Sequence, residues 1–145
     1  MFQKIMVATG GSPWSGNAVA TAIRLANSMQ EELLIAHVLE EEPQFQAPEL
    51  DPSDPQVREQ MEATGDAIVR QAANQAQRAG VAYRTAISWG SIAEEIVRTA
   101  EAESCDLIVM GTRHITGDKR LMTGRICNEV IATAPCPVLV VPWVH

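Results

Sequence analysis

Five short apolar runs, rich in β-branched residues, punctuate the chain: Lys4–Thr9, Leu33–Leu39, Val81–Ser88, Asp106–Met110 and Pro137–Val141. Each has the length of a strand. The segments between them carry helix start signals. Ser12-Pro13 opens the first and Asp54-Pro55 the second, while Ser91-Ile92-Ala93-Glu94 reads as a capping box opening a third. In the second of these segments Val57, Met61, Thr64, Ile68, Ala72 and Ala76 recur at spacings of three or four, a single modestly apolar stripe that predicts a helix packed on one face. Strands that are apolar almost throughout, alternating with helices, predict a parallel sheet covered on both sides, because parallel strands need crossovers and crossovers bring helices. The expected order is β1-α1-β2-α2-β3-α3-β4-α4-β5, in one domain spanning residues 1–145.

One segment breaks the rhythm. Glu40–Asp54 holds six acids and, counting Pro55 just after it, is marked by four prolines, with only Phe45 and Leu50 as large apolar anchors. Such a stretch predicts a solvated, mobile loop or lid. The whole chain of 145 residues is 46% hydrophobic and 20% charged, enough for a sizeable core without metal or disulfide staples. Its net charge of −7 repels phosphate polyanions, which argues against general nucleic-acid or anionic-membrane binding. Charge is uneven: eleven acids and one base lie between Glu31 and Asp66, whereas Arg113, Lys119, Arg120 and Arg125 gather after the fourth strand. Three cysteines without paired spacing, no membrane-length apolar run and no leader-like start are the features expected of a reduced, cytoplasmic protein.

Several chemistries find no support. The nearest approach to a Walker loop, Gly111 to Arg120, has the wrong spacing and an acid where lysine must stand, and no dinucleotide fingerprint follows a strand. His37, His114 and His145 have no metal-ligand spacing, and His37 fits a satisfied histidine near a strand end. No nucleophile elbow or Cys-His pair is present. Cys127, beside a helix start and Arg125, reads either as a thiol of lowered pKa or as a small buried residue. Two glycine-bearing turns remain: Thr9-Gly10-Gly11-Ser12-Pro13 after β1, and the stretch with Gly111, Gly117 and Gly124 after β4. Both belong at the carboxyl edge of the sheet. There glycines admit backbone amides to an anion and a helix start offers free N–H groups, although turn-making alone also explains the glycines.

The segments Lys4–Ser12, His37-Val38, Gly90-Ser91, Cys105–Arg113 and Ala134–Pro142 together resemble the universal stress protein family, in order and over essentially the whole chain. That resemblance implies a Rossmann-like three-layer α/β fold with a five-stranded parallel sheet in the order 3-2-1-4-5. It further implies a cytoplasmic stress-response protein that commonly dimerises. Family members of the ATP-binding kind carry G-x2-G-x9-G-[ST] after β4 and an Asp after β1. Here Gly111 and Gly124 match, but His114 replaces the middle glycine, Arg125 the final hydroxyl residue and Gly10 the acid. By the resemblance the site is made of Ala8, Thr9, Val38, Met110, Gly111, Gly124 and Ile126, with Gly10, His114 and Arg125 as its altered positions and Arg113 as an added base. No catalytic or metal residue is expected.

Two functional readings follow: a protein that holds an adenine nucleotide, ATP or AMP, in a degenerate phosphate loop, and a dimeric interaction or regulatory module that binds none. Weak nucleotide hydrolysis would need a general base that the sequence does not position. A homodimer through the apolar final strand, with Val138 and Val140 or their alternate neighbours at the contact, and a further protein partner of unknown identity complete the expectations.

Overall fold

The computed structural model describes residues 2–42, 50–113 and 124–143. Its elements are β1 (Ile5–Ala8), α1 (Pro13–Met29), β2 (Leu33–Glu40), α2 (Pro55–Arg78), β3 (Tyr83–Gly90), α3 (Ile92–Ala102), β4 (Leu107–Arg113), α4 (Arg125–Thr133) and β5 (Val138–Trp143). The strands form one parallel sheet ordered β3-β2-β1-β4-β5. This is the expected architecture.

The alternation of side chains along each strand divides the core in two. Ile5, Val7, Leu33, Ile35, Leu107 and Val109 face α1 and α2, whereas Met6, Leu34, Ala36, Ile108 and Met110 face α3 and α4. Because both faces are covered, the central strands carry no polar alternation, which is why they read as continuous apolar runs. Each large side chain withdrawn fully from water contributes about 1.5–3 kcal/mol. On the α1 side, Ala18, Ala22 and Ala26 are small enough to let that helix lie closely on β1 and β4.

Local signals and structure agree at two helix starts. Ser12 Oγ accepts from the Ser15 N–H at 3.2 Å and Asp54 Oδ1 from the Gln56 N–H at 2.9 Å, each just before a proline in the first turn. The capping box expected at Ser91 does not form: Ser91 makes no side-chain cap bond, and its carbonyl accepts from the Glu95 N–H. The α2 stripe also behaves differently along its length. Val69, Ala72, Ala73 and Ala76 are buried in the core, but Val57, Met61 and Ile68 overhang the carboxyl edge of the sheet and Thr64 is exposed.

The fourth and fifth strands run further than their apolar runs, to Arg113 and Trp143. Pro142 is tolerated inside β5 because this strand lies at an edge, where one side of the ladder has no partner to receive an N–H. Of the acidic segment, residues 43–49, Phe45 included, lie outside the described residues, as does most of the stretch for which mobility is expected. What is described is ordered locally: Asp51 accepts from Ser53 N–H and Oγ at 3.0 and 2.6 Å, and Pro52 is buried.

The amino ends of the central strands are clamped by Asp106. Its carboxylate accepts from the Gln3 and Lys4 N–H groups at 2.9 and 3.0 Å, while its own N–H donates to the Lys4 carbonyl. Replacing Asp106 by Ala is expected to lower stability by about 1–3 kcal/mol in urea denaturation, with Asn intermediate, because an amide keeps one acceptor but loses the charge.

Candidate functional site

β1 and β4 are parallel neighbours, yet the chain leaves β1 toward α1 on one face and passes from β4 toward α4 on the other. Such a reversal leaves the carboxyl ends uncovered and opens a crevice between them. A cleft of about 970 Å³ occupies this place, within the range of small-molecule sites. Ala8, Thr9 and Gly10 form its floor with the ends of β2 (His37–Glu40) and β4 (Met110–Thr112). Leu50, Val57, Met61 and Ile68 make an apolar wall on the α2 side. Opposite stand Ser91–Ala93 of α3 and Gly124–Cys127 of α4.

Two of the helix starts that border the cleft, those of α3 and α4, have no side-chain cap. Neither Ser91 nor Gly124 provides one, and the first helical bond of α4 is that from Asn128 N–H to the Gly124 carbonyl. The preceding N–H groups of α4, at Arg125, Ile126 and Cys127, therefore have no partner within the helix. Together with the start of α3 they bring positive partial charge to one side of the cleft. At the β1 turn the expectation of an open helix start is not met, since Ser12 already caps α1. The turn is knitted by its hydroxyls, with Ser15 Oγ donating to the Ser12 carbonyl at 2.9 Å and Gly11 N–H donating to Thr9 Oγ1 at 3.4 Å.

The glycines have separable reasons. A Cβ on Gly111 would collide with the Trp14 carbonyl oxygen and stand 2.6 Å from its carbon, so this glycine lets β4 pass against the first turn of α1. Gly124 has φ +80°, a conformation that glycine adopts without strain, and has open space around it. Gly10 also faces open space, so an acid there is missing for no steric reason.

His37 Nδ1 lies 2.7 Å from the Thr9 carbonyl. A carbonyl only accepts, so Nδ1 carries a proton and donates it to this oxygen. Cys127 is buried, its Sγ 3.6 Å from the Gly111 carbonyl, and burial pushes its thiol up rather than down, so the lowered-pKa alternative is corrected: desolvation outweighs the opposing hydrogen bond with Thr112. Glu40 is half-buried, and desolvation holds its carboxyl above the usual range, partly offset by the Arg125 charge. Arg125 in turn lies 3.5 Å from Glu129.

Of the residues expected at the site, Ala8, Thr9, Gly10, Val38, Met110, Gly111, Gly124, Arg125 and Ile126 all line this cleft. Arg113 ends β4, paired with Trp143, and its side chain, like His114, lies outside what the structure describes. The α2 wall, the α3 start and Glu40 were not expected at the site. The signal for the wall was available in the α2 stripe, whose amino-terminal half extends beyond the strands it was expected to cover.

Gly111→Ala is expected to cost several kcal/mol, seen as a lower denaturation midpoint, because the obstruction is backbone; Gly10→Asp should be near neutral. A second expectation concerns Cys105, whose thiol burial pushes up from 9.0 to about 11. The folded protein keeps this proton where the unfolded chain has released it, so stability should fall as pH rises from about 9 to 11, and fall less in Cys105→Ala. Denaturation midpoints at pH 8 and 10 check this.

The model of the universal stress protein family matches residues 1–142. A universal stress protein of Methanocaldococcus jannaschii is 34% identical over 141 residues, covering 97% of this chain and 82% of that one. Universal stress protein YxiE of Bacillus subtilis is 34% identical over 151 residues, with 97% and 99% covered. Among solved structures, that of the hypothetical protein MJ0577 superposes with a TM-score of 0.83 at 25% identity, covering 100% and 99% of the two chains. The family member from Arabidopsis thaliana solved with AMP bound shares the fold, with a TM-score of 0.72 at 19% identity and 99% and 93% covered. Sequence along nearly the full length and topology agree, and the chain belongs to the universal stress protein family.

Proposed function

We propose that this universal stress protein binds an adenine nucleotide in the cleft beyond β1 and β4, and that it acts by binding rather than by catalysing a reaction. The observation that carries this reading is the convergence of two helix starts without side-chain caps on a cleft whose other wall is apolar. Backbone N–H groups suit phosphate oxygens, and Val57, Met61 and Ile68 suit a base. The AMP held by the Arabidopsis relative supports the same class of ligand. Ala8, Thr9, Gly10, Val38 and Met110 are assigned to the nucleoside, and Gly111, Gly124, Arg125 and Ile126, with Arg113 and His114, to the phosphate side. No helix among the described residues is long and apolar enough to cross a membrane, and the protein is assigned to the cytoplasm.

The altered phosphate loop weakens triphosphate binding. Losing two close backbone contacts to charged oxygens, each worth about 1.5–3 kcal/mol, lowers affinity roughly 10²–10⁴-fold, and the Arg125 fork compensates in part. Calorimetry with ATP, ADP and AMP is expected to give weak ATP binding to the wild type, a gain in His114→Gly with Arg125→Ser, and a loss in Arg125→Ala. Tight wild-type ATP binding would remove the crowding argument. Indifference of all three proteins to all three nucleotides would favour the interaction module instead.

A homodimer through β5 is proposed as well, supported by the edge position of that strand and the 37% exposure of Leu139 on it. Light scattering on Leu139→Arg and Val140→Arg, made separately, should show loss of the dimer in at least one; a monomeric wild type at tens of micromolar (on the order of common dimer working ranges) would refute it.

A further inference from the structure

β3 is the second edge of the sheet, and it carries none of the usual protections. Edge strands are kept from pairing with other chains by shortness, proline, lysine or a bulge. β5 has Pro142, but Tyr83–Gly90 contains neither proline nor lysine and keeps unbroken register with β2 along its whole length. Its one charged side chain, Arg84, is tied back within the chain, to Glu32 at 2.7 Å and to Glu103 at 3.0 Å. No described strand pairs with the outer side of β3.

The ladder shows which backbone groups stay open. Leu33 N–H donates to the Ala82 carbonyl and Glu41 N–H to that of Gly90, so the even-numbered residues of this stretch turn their groups toward β2. Along a strand the N–H and C=O of one residue point to the same side, and the side alternates from each residue to the next. The groups of Tyr83, Thr85, Ile87 and Trp89 therefore face outward. Tyr83 and Ile87 are also exposed large apolar side chains, at 37% and 39%. With exposed Thr85 between them they fall on one face of the strand. At the carboxyl end Arg58 lies over the Trp89 ring, 3.9 Å from its centroid, so the open stretch is Tyr83–Ile87 and its midpoint is Thr85.

This stretch is complementary to itself. A two-fold axis through Thr85 sets Thr85 against Thr85 and Tyr83 against Ile87, and each such pair can exchange two N–H···O=C bonds because all its groups face outward. The same register brings the exposed apolar side chains together and puts Arg84 opposite Ala86. An axis one residue nearer the amino end would set the two Arg84 side chains against each other. We propose that β3 is a self-association edge, at which a second copy of this chain adds its own β3 antiparallel and continues the sheet. The contact lies at the edge opposite β5 and does not depend on what the cleft binds. So short a stretch falls well below a standard interface, and the association is weak, on the order of hundreds of micromolar.

Sedimentation equilibrium from tens of micromolar to about 1 mM, the range in which so weak a contact fills, tests the assignment. The wild-type mass should rise with concentration. Ile87→Lys and Tyr83→Lys, both at exposed positions, should each suppress the rise by weakening association roughly tenfold or more. An equal mixture of Tyr83→Lys and Ile87→Glu should restore it, because only the mixed pair sets lysine against glutamate. Leu139→Arg, on β5, should leave a rise in place. A wild-type mass that stays constant to the top of this range would overturn the proposal. So would a rise that survives Ile87→Lys with an unchanged denaturation midpoint, or a mixture no more associated than its two parts. A rise lost in Leu139→Arg but kept in the β3 variants would assign the contact to β5 and overturn it likewise.

Discussion

The parallel pairing of β1 with β4 is the constraint on which the remainder depends. These strands sit at the centre of the sheet, are buried on both faces, and send the chain to opposite sides at their carboxyl ends. Two consequences are forced. Helices must cover both faces, since parallel neighbours cannot be joined by hairpins. A crevice must also open where the chain departs in two directions. The clamp of Asp106 on Gln3 and Lys4 sets the amino ends of the pair in register, and the missing side chain at Gly111 lets its carboxyl end fit beneath the first turn of α1. Close fit is therefore needed at the same end of the sheet where the cleft opens.

Much of this fold is legible from residue types. Strands shielded on both faces write themselves as apolar runs, and Ser12-Pro13 and Asp54-Pro55 mark helix starts through local chemistry that tertiary structure does not override. Where tertiary structure does intervene, the local signal fails. Ser91 stands three residues before an acid, yet the cap does not form there, and the next acid, Glu95, is buried with Oε2 2.8 Å from Arg98. The ends of β4 and β5 fail for a different reason: pairing with each other extends both beyond the expected apolar runs, and edge placement accommodates Pro142.

The candidate site is legible in part, and along a clear division. Residues at the carboxyl ends of β1 and β4, such as Thr9, Gly10 and Gly111, are announced by turn chemistry and by the family resemblance. The α2 wall is contributed from a distance of some fifty residues, and only the sheet topology reveals that Met61 and Ile68 face the same space as Gly124. Glu40 is hidden for a related reason. In sequence it belongs to an acidic run whose obvious interpretation is solvation, but pairing with Gly90 extends β2 just far enough to carry it onto the rim of the cleft.

The glycines illustrate how one residue type serves different masters. Gly111 matches a glycine of the pattern that the resemblance implies, yet packing against the Trp14 carbonyl is sufficient to require it whether or not a ligand is present. Gly124 is needed for its positive φ, which turns the chain into α4 with no side chain across the helix start. Retention of both therefore says more about the frame than about its occupant. The substitutions at positions free of such demands carry the functional information: Gly10 and Arg125 face open space or solvent, cost the fold little, and change only what the cleft presents to a ligand. With the frame held by packing and the charge set by exposed or rim residues, the occupant can change by substitution at the rim while the sheet and its two helix layers stay as they are.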